Sequence, residues 1–195
     1  MAFSPDSPIL TVGVQGTPEQ CSRFMLARPH GEYTEHAIAN VIIPAYFAVC
    51  ASVGIAPVML VAQMIHETGC LTSWWSQRPR RNPAGIGVTG RTSPTQPASG
   101  AWALKETVWA EGVSFPTWQD DAIPAHAGRL LAYALRDDQA SLAQRAMIAR
   151  ALSYRPLPAS YRGAAPTWRG LNGRWAVPGA TYADKIAEIA NKIIS

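Results

Sequence analysis

The sequence predicts a mainly α (α+β) domain, six helices with a single small β-hairpin lobe flanking a cleft. Three observations carry this. Residues 57–68 form a helix that is apolar nearly all round, which places it in the interior. Five further segments read as helices opened or closed by cap residues. Only one stretch, 102–118, has the β-rich composition and turn signal of a hairpin.

Residues 1–16, rich in Pro, Ser and Gly, read as an extended arm. Thr17 starts a short helix to Leu26, with Pro18 in the first turn and Gln20 at the capping-box position. Together they make an N-terminal unit, 1–33, packed on a domain that occupies 34–195. Thr34 caps a long helix ending at Val53 before Gly54, with Ile38, Ile42, Ala45, Val49 and Val53 on one face and a kink at Pro44. The buried helix starts at Pro57, whose missing N–H is harmless in a first turn, and stops at Gly69.

Residues 73–101 are loop-rich. They contain Gly85-x-Gly87-x-x-Gly90, formally a dinucleotide fingerprint, but no strand precedes it and no helix follows, so that reading is rejected. The hairpin is expected as strands 103–109 and 113–118 around a turn at Ala110-Glu111-Gly112. Asp120 or Asp121 then caps a helix to about Leu135, with Ile123, Ala127, Leu130, Leu131 and Ala134 inward. A further helix spans 141–152. After an aromatic crossing segment, 154–178, Thr181 caps the last helix, buried along Ile186, Ile189, Ala190 and Ile193.

The chemistry gathers at the end of the buried helix. Gln63, His66 and Glu67 share one face there. A carboxylate at a helix C-terminus meets the negative end of the dipole, and apolar neighbours desolvate it. Both effects raise its pKa and suit a general acid. The competing reading is an ion pair between Glu67 and Arg78, Arg80 or Arg81 that only ties down a loop. On physical grounds the two are evenly matched.

Beyond Glu67 come Ser73 and aromatics, then Asn82-Pro83-Ala84-Gly85-Ile86-Gly87. Phe115-Pro116-Thr117-Trp118 precedes the helix at 122–131, and Leu171 to Ala176 precedes Tyr182-Ala183-Asp184-Lys185-Ile186. In order and spacing these resemble the glucosaminidases of glycoside hydrolase family 73, in the lysozyme-like superfamily, from about Thr34 to the C-terminus. Thr68 replaces the usual Ser, Pro83-Ala84 replaces Leu-Phe, and Trp118 and Trp175 stand where the family usually has Tyr.

The resemblance implies a lysozyme-like peptidoglycan hydrolase that cleaves the glycan strand as an endo-β-N-acetylglucosaminidase. Glu67 would be the acid. The second carboxylate would be Glu106, expected on the hairpin strand, or Glu111 in the turn; failing both, the substrate's own N-acetyl group would assist. Gln63, Trp74, Trp75, Asn82, Trp118, Trp175 and Tyr182 are candidate substrate-binding residues, since aromatic faces stack on sugar rings. For any single Trp core packing is the stronger expectation, Asn82 would equally hold the loop, and for Tyr182 anchoring the last helix is the stronger expectation, although the family places a Tyr there close to the cleft. A muramidase, a lytic transglycosylase, or a non-catalytic wall-binding or virion structural domain are the alternatives.

His66-Glu67-Thr68-Gly69-Cys70 also resembles a zincin helix with Cys for the second His, but Gly69 should end the helix before Cys70 and no third ligand is signalled, so neither metal nor cofactor is expected. Three cysteines are too few for a disulfide scaffold; Cys50 and Cys70 read as buried thiols. The net charge of +4 favours anionic walls but is too small to argue for nucleic acid. Met1 to Leu10 does not read as a signal peptide, and no apolar stretch is read as long enough to span a bilayer. The expected protein is therefore a soluble monomer made in the cytoplasm, bacteriolytic once it reaches the wall as a phage endolysin, from a virion, or by separate export.

Overall fold

The computed structural model describes every residue except Met1, Val12 and Val14. These three belong to the expected arm and lie outside the described residues. The helices are α1 (Pro18–Leu26), α2 (Glu35–Ala37), α3 (Ile43–Val53), α4 (Pro57–Thr68), α5 (Ile123–Ala134), α6 (Leu142–Tyr154) and α7 (Tyr182–Ile194). The mainly helical architecture with one small sheet is the predicted one.

Helix α4 lies at the centre. Every side chain from Pro57 to Ile65 is buried, including that of Gln63. Gly69 closes it in the left-handed conformation (φ 58°), and its N–H reaches the Ile65 carbonyl. Cys70 and Leu71 continue in that conformation, with φ of 57° and 66°, which is costly for residues with a Cβ. Thr68 supports the turn: its Oγ1 accepts from Leu71 N at 2.8 Å and donates to the Met64 carbonyl at 2.7 Å. The sharp turn starts the return of the chain toward the site.

Both long helices around α4 contain the same device. A π turn, Ile38–Ile42, joins α2 to α3 just before Pro44, and a second, Trp118–Ala122, leads into α5 just before Pro124. Proline lacks an N–H and its ring clashes with the carbonyl four residues back. Opening the ladder by one residue relieves that without ending the helix. The kink expected at Pro44 is thus a π turn, and the extra residue shifts the inward face from Ala45 and Val49, which are only partly buried, to Tyr46 and Cys50, which are buried. The whole segment Glu35–Val53 has 19 residues and a mean hydropathy of 1.7, long and apolar enough by length and composition to cross a membrane, contrary to the expectation. Its Ile38, Ile42, Ile43, Tyr46, Cys50 and Val53 side chains are buried in the common core, as a core helix requires.

Further differences concern register and caps. The hairpin pairs β2 (Trp102–Lys105) with β3 (Val108–Glu111), and β1 (Thr92–Ser93) adds to the other side of β3. Its turn is at Glu106-Thr107, not at 110–112. Glu106 takes a left-handed φ of 56° there, and Glu111 ends a strand. The expected second strand, 113–118, lies instead along the 80–86 loop, with Val113 N bonded to the Ile86 carbonyl and Phe115 N to the Arg80 carbonyl. The helix at α5 is capped by Thr117, not by Asp120 or Asp121. The Thr117 hydroxyl accepts from Asp120 N, while Asp121 accepts from Thr117 N at 3.0 Å. The caps at Thr17 and Ser141 are full capping boxes with Gln20 and Gln144. Thr181 stands at the N-cap of α7 without a side-chain bond.

The N-terminal arm is tied down. Ile9 is fully buried, Leu10 bridges to Ile55, Asn191 exchanges two hydrogen bonds with the Phe3 backbone, and Asp6 pairs with Arg169.

Helices α5 and α6 pack so closely that a Cβ on Gly128 would lie 2.3 Å from the Met147 carbonyl oxygen. That contact is with backbone and cannot move cheaply. Gly128→Ala should therefore destabilise by about 1–3 kcal/mol, read as a fall of about 2–4 °C in Tm per kcal/mol in a thermal melt. An unchanged Tm would mean the two helices separate freely.

Candidate active site

Glu67 sits in the last turn of α4, half-buried, where the apolar helix brings it to the edge of the core. None of the three expected arginines takes it. Arg78 pairs with Glu32, Arg80 donates to the Trp74 carbonyl and stacks over that indole at 3.7 Å, and Arg81 donates to backbone carbonyls. The partner of Glu67 is the Tyr182 hydroxyl, which donates to Oε1 from the first residue of α7. Burial pushes the Glu67 pKa up; Tyr182 and the Trp175 side chain pull the other way, and burial prevails. Tyr182 is itself held well above the ordinary phenol value by burial and by Glu67, so it remains a donor.

Behind Tyr182 runs a buried chain of hydrogen bonds. Gln63 Nε2 donates to the Tyr182 oxygen at 2.8 Å, Gln63 Oε1 lies 3.1 Å from His126 Nε2, and His126 Nδ1 lies 3.1 Å from the Tyr46 hydroxyl. With Glu67 ionised only one set of directions satisfies all of these. The single Tyr182 proton goes to Glu67, so the Gln63 amide N–H must point at Tyr182. Its carbonyl then accepts from His126 Nε2–H, and Nδ1 accepts from Tyr46. That requires a neutral imidazole, and burial lowers the His126 pKa to about 3. His66 lies outside this chain and sets its ring edge-on to Tyr182 at 5.5 Å.

Four expected substrate-binding residues are buried. Gln63 is fully buried and reaches Glu67 only through Tyr182. Asn82 is fully buried and folds the loop after it, donating to the Ile86 and Val113 carbonyls and accepting from Ala84 and Ile86 N–H groups. Trp118 is 5% exposed and gives its indole N–H to the Tyr33 hydroxyl at 3.2 Å, so its face is closed to a sugar. Tyr182 is 4% exposed, an orienting donor to Glu67 as well as an anchor of α7.

Trp74, Trp75 and Trp175 keep partial exposure. Trp74 and Trp75, edge-to-face at 4.8 Å, line a cavity of about 220 Å³ with Glu111 and the hairpin. Glu111 is fixed there by the Thr89 hydroxyl and, at 3.5 Å, by Arg91. Glu106 is exposed in the hairpin turn, away from the strand position expected of it. Trp175 lines a second cavity, about 190 Å³, with residues 84–88, Arg129, Tyr133 and Arg155. No local sequence pattern marks His126, Tyr46, Arg129 or Arg155 as part of a site.

The zinc alternative lacks geometry. Cys70 has left the helix, and its Sγ lies 3.9 Å from the Met25 carbonyl oxygen. Among the described residues no three His, Cys, Asp or Glu side chains are grouped to hold a metal ion. Cys21, Cys50 and Cys70 are free and buried.

A raised Glu67 pKa has a stability consequence whose sign is fixed. Below the unfolded value of 4.5 both states hold the proton and the stabilising contribution is complete. As pH rises through the folded value it is lost, because the folded state resists releasing the proton. Glu67→Gln removes this loss. The variant should melt above the wild type near pH 7, with the difference shrinking as pH falls toward about 4.5. Calorimetric Tm values at the two pH extremes check it, and a gain independent of pH would contradict it.

Residues 43–195 match the family Glucosaminidase, described as mannosyl-glycoprotein endo-beta-N-acetylglucosaminidase. Among solved structures, the catalytic domain of the autolysin Auto from Listeria monocytogenes is similar at 18% identity and a TM-score of 0.47, over 92% of this chain and 89% of that one. Nothing among curated proteins matches.

Proposed function

Because this chain belongs to the glucosaminidase family and is therefore a glycoside hydrolase, we propose that it cuts the glycan strand of peptidoglycan after N-acetylglucosamine, with Glu67 as the general acid. The observation that carries the residue assignment is the half-buried Glu67 carboxyl, its pKa raised by burial and its orientation fixed by Tyr182. Burial favours the protonated form of such a group, which hands its proton to the glycosidic oxygen as the bond breaks. Positive charge then develops on the sugar ring and must be met by a second carboxylate or by the substrate's N-acetyl oxygen before water completes hydrolysis. Of the two candidate carboxylates, Glu111 is favoured. It is immobilised on β3 in a cavity shared with Trp74 and Trp75, whereas Glu106 projects from the hairpin turn. The exposed parts of Trp74, Trp75 and Trp175 supply flat faces for sugar rings.

Turbidity clearing of purified peptidoglycan tests the assignment. Glu67→Gln should lose about 10²–10⁴-fold in rate with the fold intact, and EDTA should leave the wild type unaffected. Reducing-end analysis should find N-acetylglucosamine; anhydro-sugar ends would replace the hydrolase with a lytic transglycosylase, and muramic acid ends with a muramidase. Binding to sacculi without solubilising them would favour a wall-binding role.

The choice between carboxylates has its own test. Glu111→Gln should lower kcat by about 10²-fold or more, while Glu106→Gln should stay near the wild-type rate. Full activity in both variants would transfer the role to the substrate's N-acetyl group.

A further inference from the structure

Arg129 and Arg155 stand together without an anion. Arg129, on α5, is partly buried; its Nη1 donates to the Arg155 carbonyl at 3.0 Å, and its guanidinium lies 5.9 Å from the Tyr133 ring centre and 6.0 Å from that of Trp175. Burial pushes its pKa down; Tyr133 pulls the other way, Arg155 adds to the fall, and burial prevails. Six arginines, at 78, 91, 136, 150, 162 and 169, have a carboxylate within 4.0 Å; among the described residues Arg129 and Arg155 do not, nor do six others, but these two line one cavity. Withdrawing a guanidinium from water beside a second one is unfavourable unless an anion arrives from outside.

The place of this pair limits what that anion is. Both arginines line the cavity of about 190 Å³ beside Trp175, whose side chain also pulls the Glu67 pKa down. Gly85, an exposed residue of the same lining, has nothing within 4 Å of where a Cβ would stand, so the cavity is open there. A glycan threaded past Glu67 would bring its substituents here. Its sugar rings and acetamido groups are neutral; its anions are the carboxylates of the peptide attached to the muramic acid lactyl group. A guanidinium fork matches a carboxylate with two parallel bonds, and Arg129 spends only part of its donors on the Arg155 carbonyl.

We propose that Arg129 and Arg155 form a carboxylate-binding subsite for the acidic stem peptide of peptidoglycan, making the enzyme selective for peptide-bearing strands. The subsite rests on the peptidoglycan reading of the Glu67 site. It also implies that glycans stripped of free carboxylates, such as oligomers of N-acetylglucosamine, bind less well.

Calorimetric titration tests it in the Glu67→Gln protein, which binds without cutting. The ligands are a disaccharide carrying an acidic stem peptide and the same compound with its carboxylates converted to amides. The acid form should bind about tenfold or more tightly than the amide, as charge-assisted bonds require. Adding Arg155→Gln, an exposed position that leaves the fold intact, should weaken the acid form by a similar factor and abolish the discrimination, and Arg155→Lys should restore part of it. Arg129→Gln should behave like Arg155→Gln. Equal affinities for the two ligands, or an Arg155→Gln variant weakened equally for both, overturns the subsite. Tighter binding of glycerol phosphate than of the acidic disaccharide overturns its assignment to the stem peptide in favour of a wall phosphate. Wild-type clearing is scored separately: clearing with equal affinities removes the subsite and keeps the hydrolase, whereas discrimination without clearing keeps the subsite and removes the hydrolase.

Discussion

The hydrogen bond from Tyr182 to Glu67 joins the two ends of the catalytic fold. It links the last turn of α4 to the first residue of α7, 115 positions apart, and it depends on everything behind it. Tyr182 can give its only proton forward because Gln63 fills its acceptor side, and Gln63 can do so because a neutral His126 occupies its carbonyl. Each member of the chain is nearly or wholly buried, where an unpartnered polar group costs about 1–3 kcal/mol. The chain is therefore settled as a unit, and it fixes where the Glu67 carboxyl points. In a core otherwise largely apolar this line of polar atoms specifies one arrangement of α3, α4, α5 and α7.

That arrangement requires helices that pass a proline without stopping. The two π turns before Pro44 and Pro124 provide it, and they set the rotation of the segments that follow. With the extra residue before Pro44, Tyr46 faces inward and meets His126; with a regular α-helical ladder Ala45 would stand there. The turn before Pro124 similarly sets the phase of α5, which carries His126 and Arg129 three residues apart, one into the core and one toward the cavity. The prolines act on the site only through the helical phase they impose.

Much of this was legible because it is local. The span of α4, its Gly69 stop, the cap at Thr17 and the unfavourable setting of Glu67 all follow from residues within one or two turns of each other. The hairpin register was not legible. Gly112 looked like the turn residue, yet it lies beneath the Trp75 ring, and the left-handed position fell to Glu106, a residue type that rarely signals one. Trp118 and Asn82 stayed open between the cleft and the interior, and Gln63 was placed at the substrate, for a different reason. Trp118 finds Tyr33 at a separation of 85 residues and Gln63 finds His126 at 63, and no local pattern distinguishes an aromatic or amide that faces a cleft from one that completes a core. Arg129 was silent because an arginine with an acidic partner and one without look alike in a sequence.

Trp175 stands near two groups whose burial opposes their charge. One is the Glu67 carboxyl, whose proton burial favours, and the other is the Arg129 guanidinium, whose charge burial disfavours. Six arginines meet a carboxylate, as Arg169 meets Asp6, whereas Arg129 meets none among the described residues. A partly buried carboxyl and a partly buried guanidinium near one indole place an electrostatic cost where a substrate would relieve it. A glycan strand would accept the proton from one and present a carboxylate to the other, so both costs fall in the same complex. Binding of the peptide and proton transfer would then both take place beside Trp175.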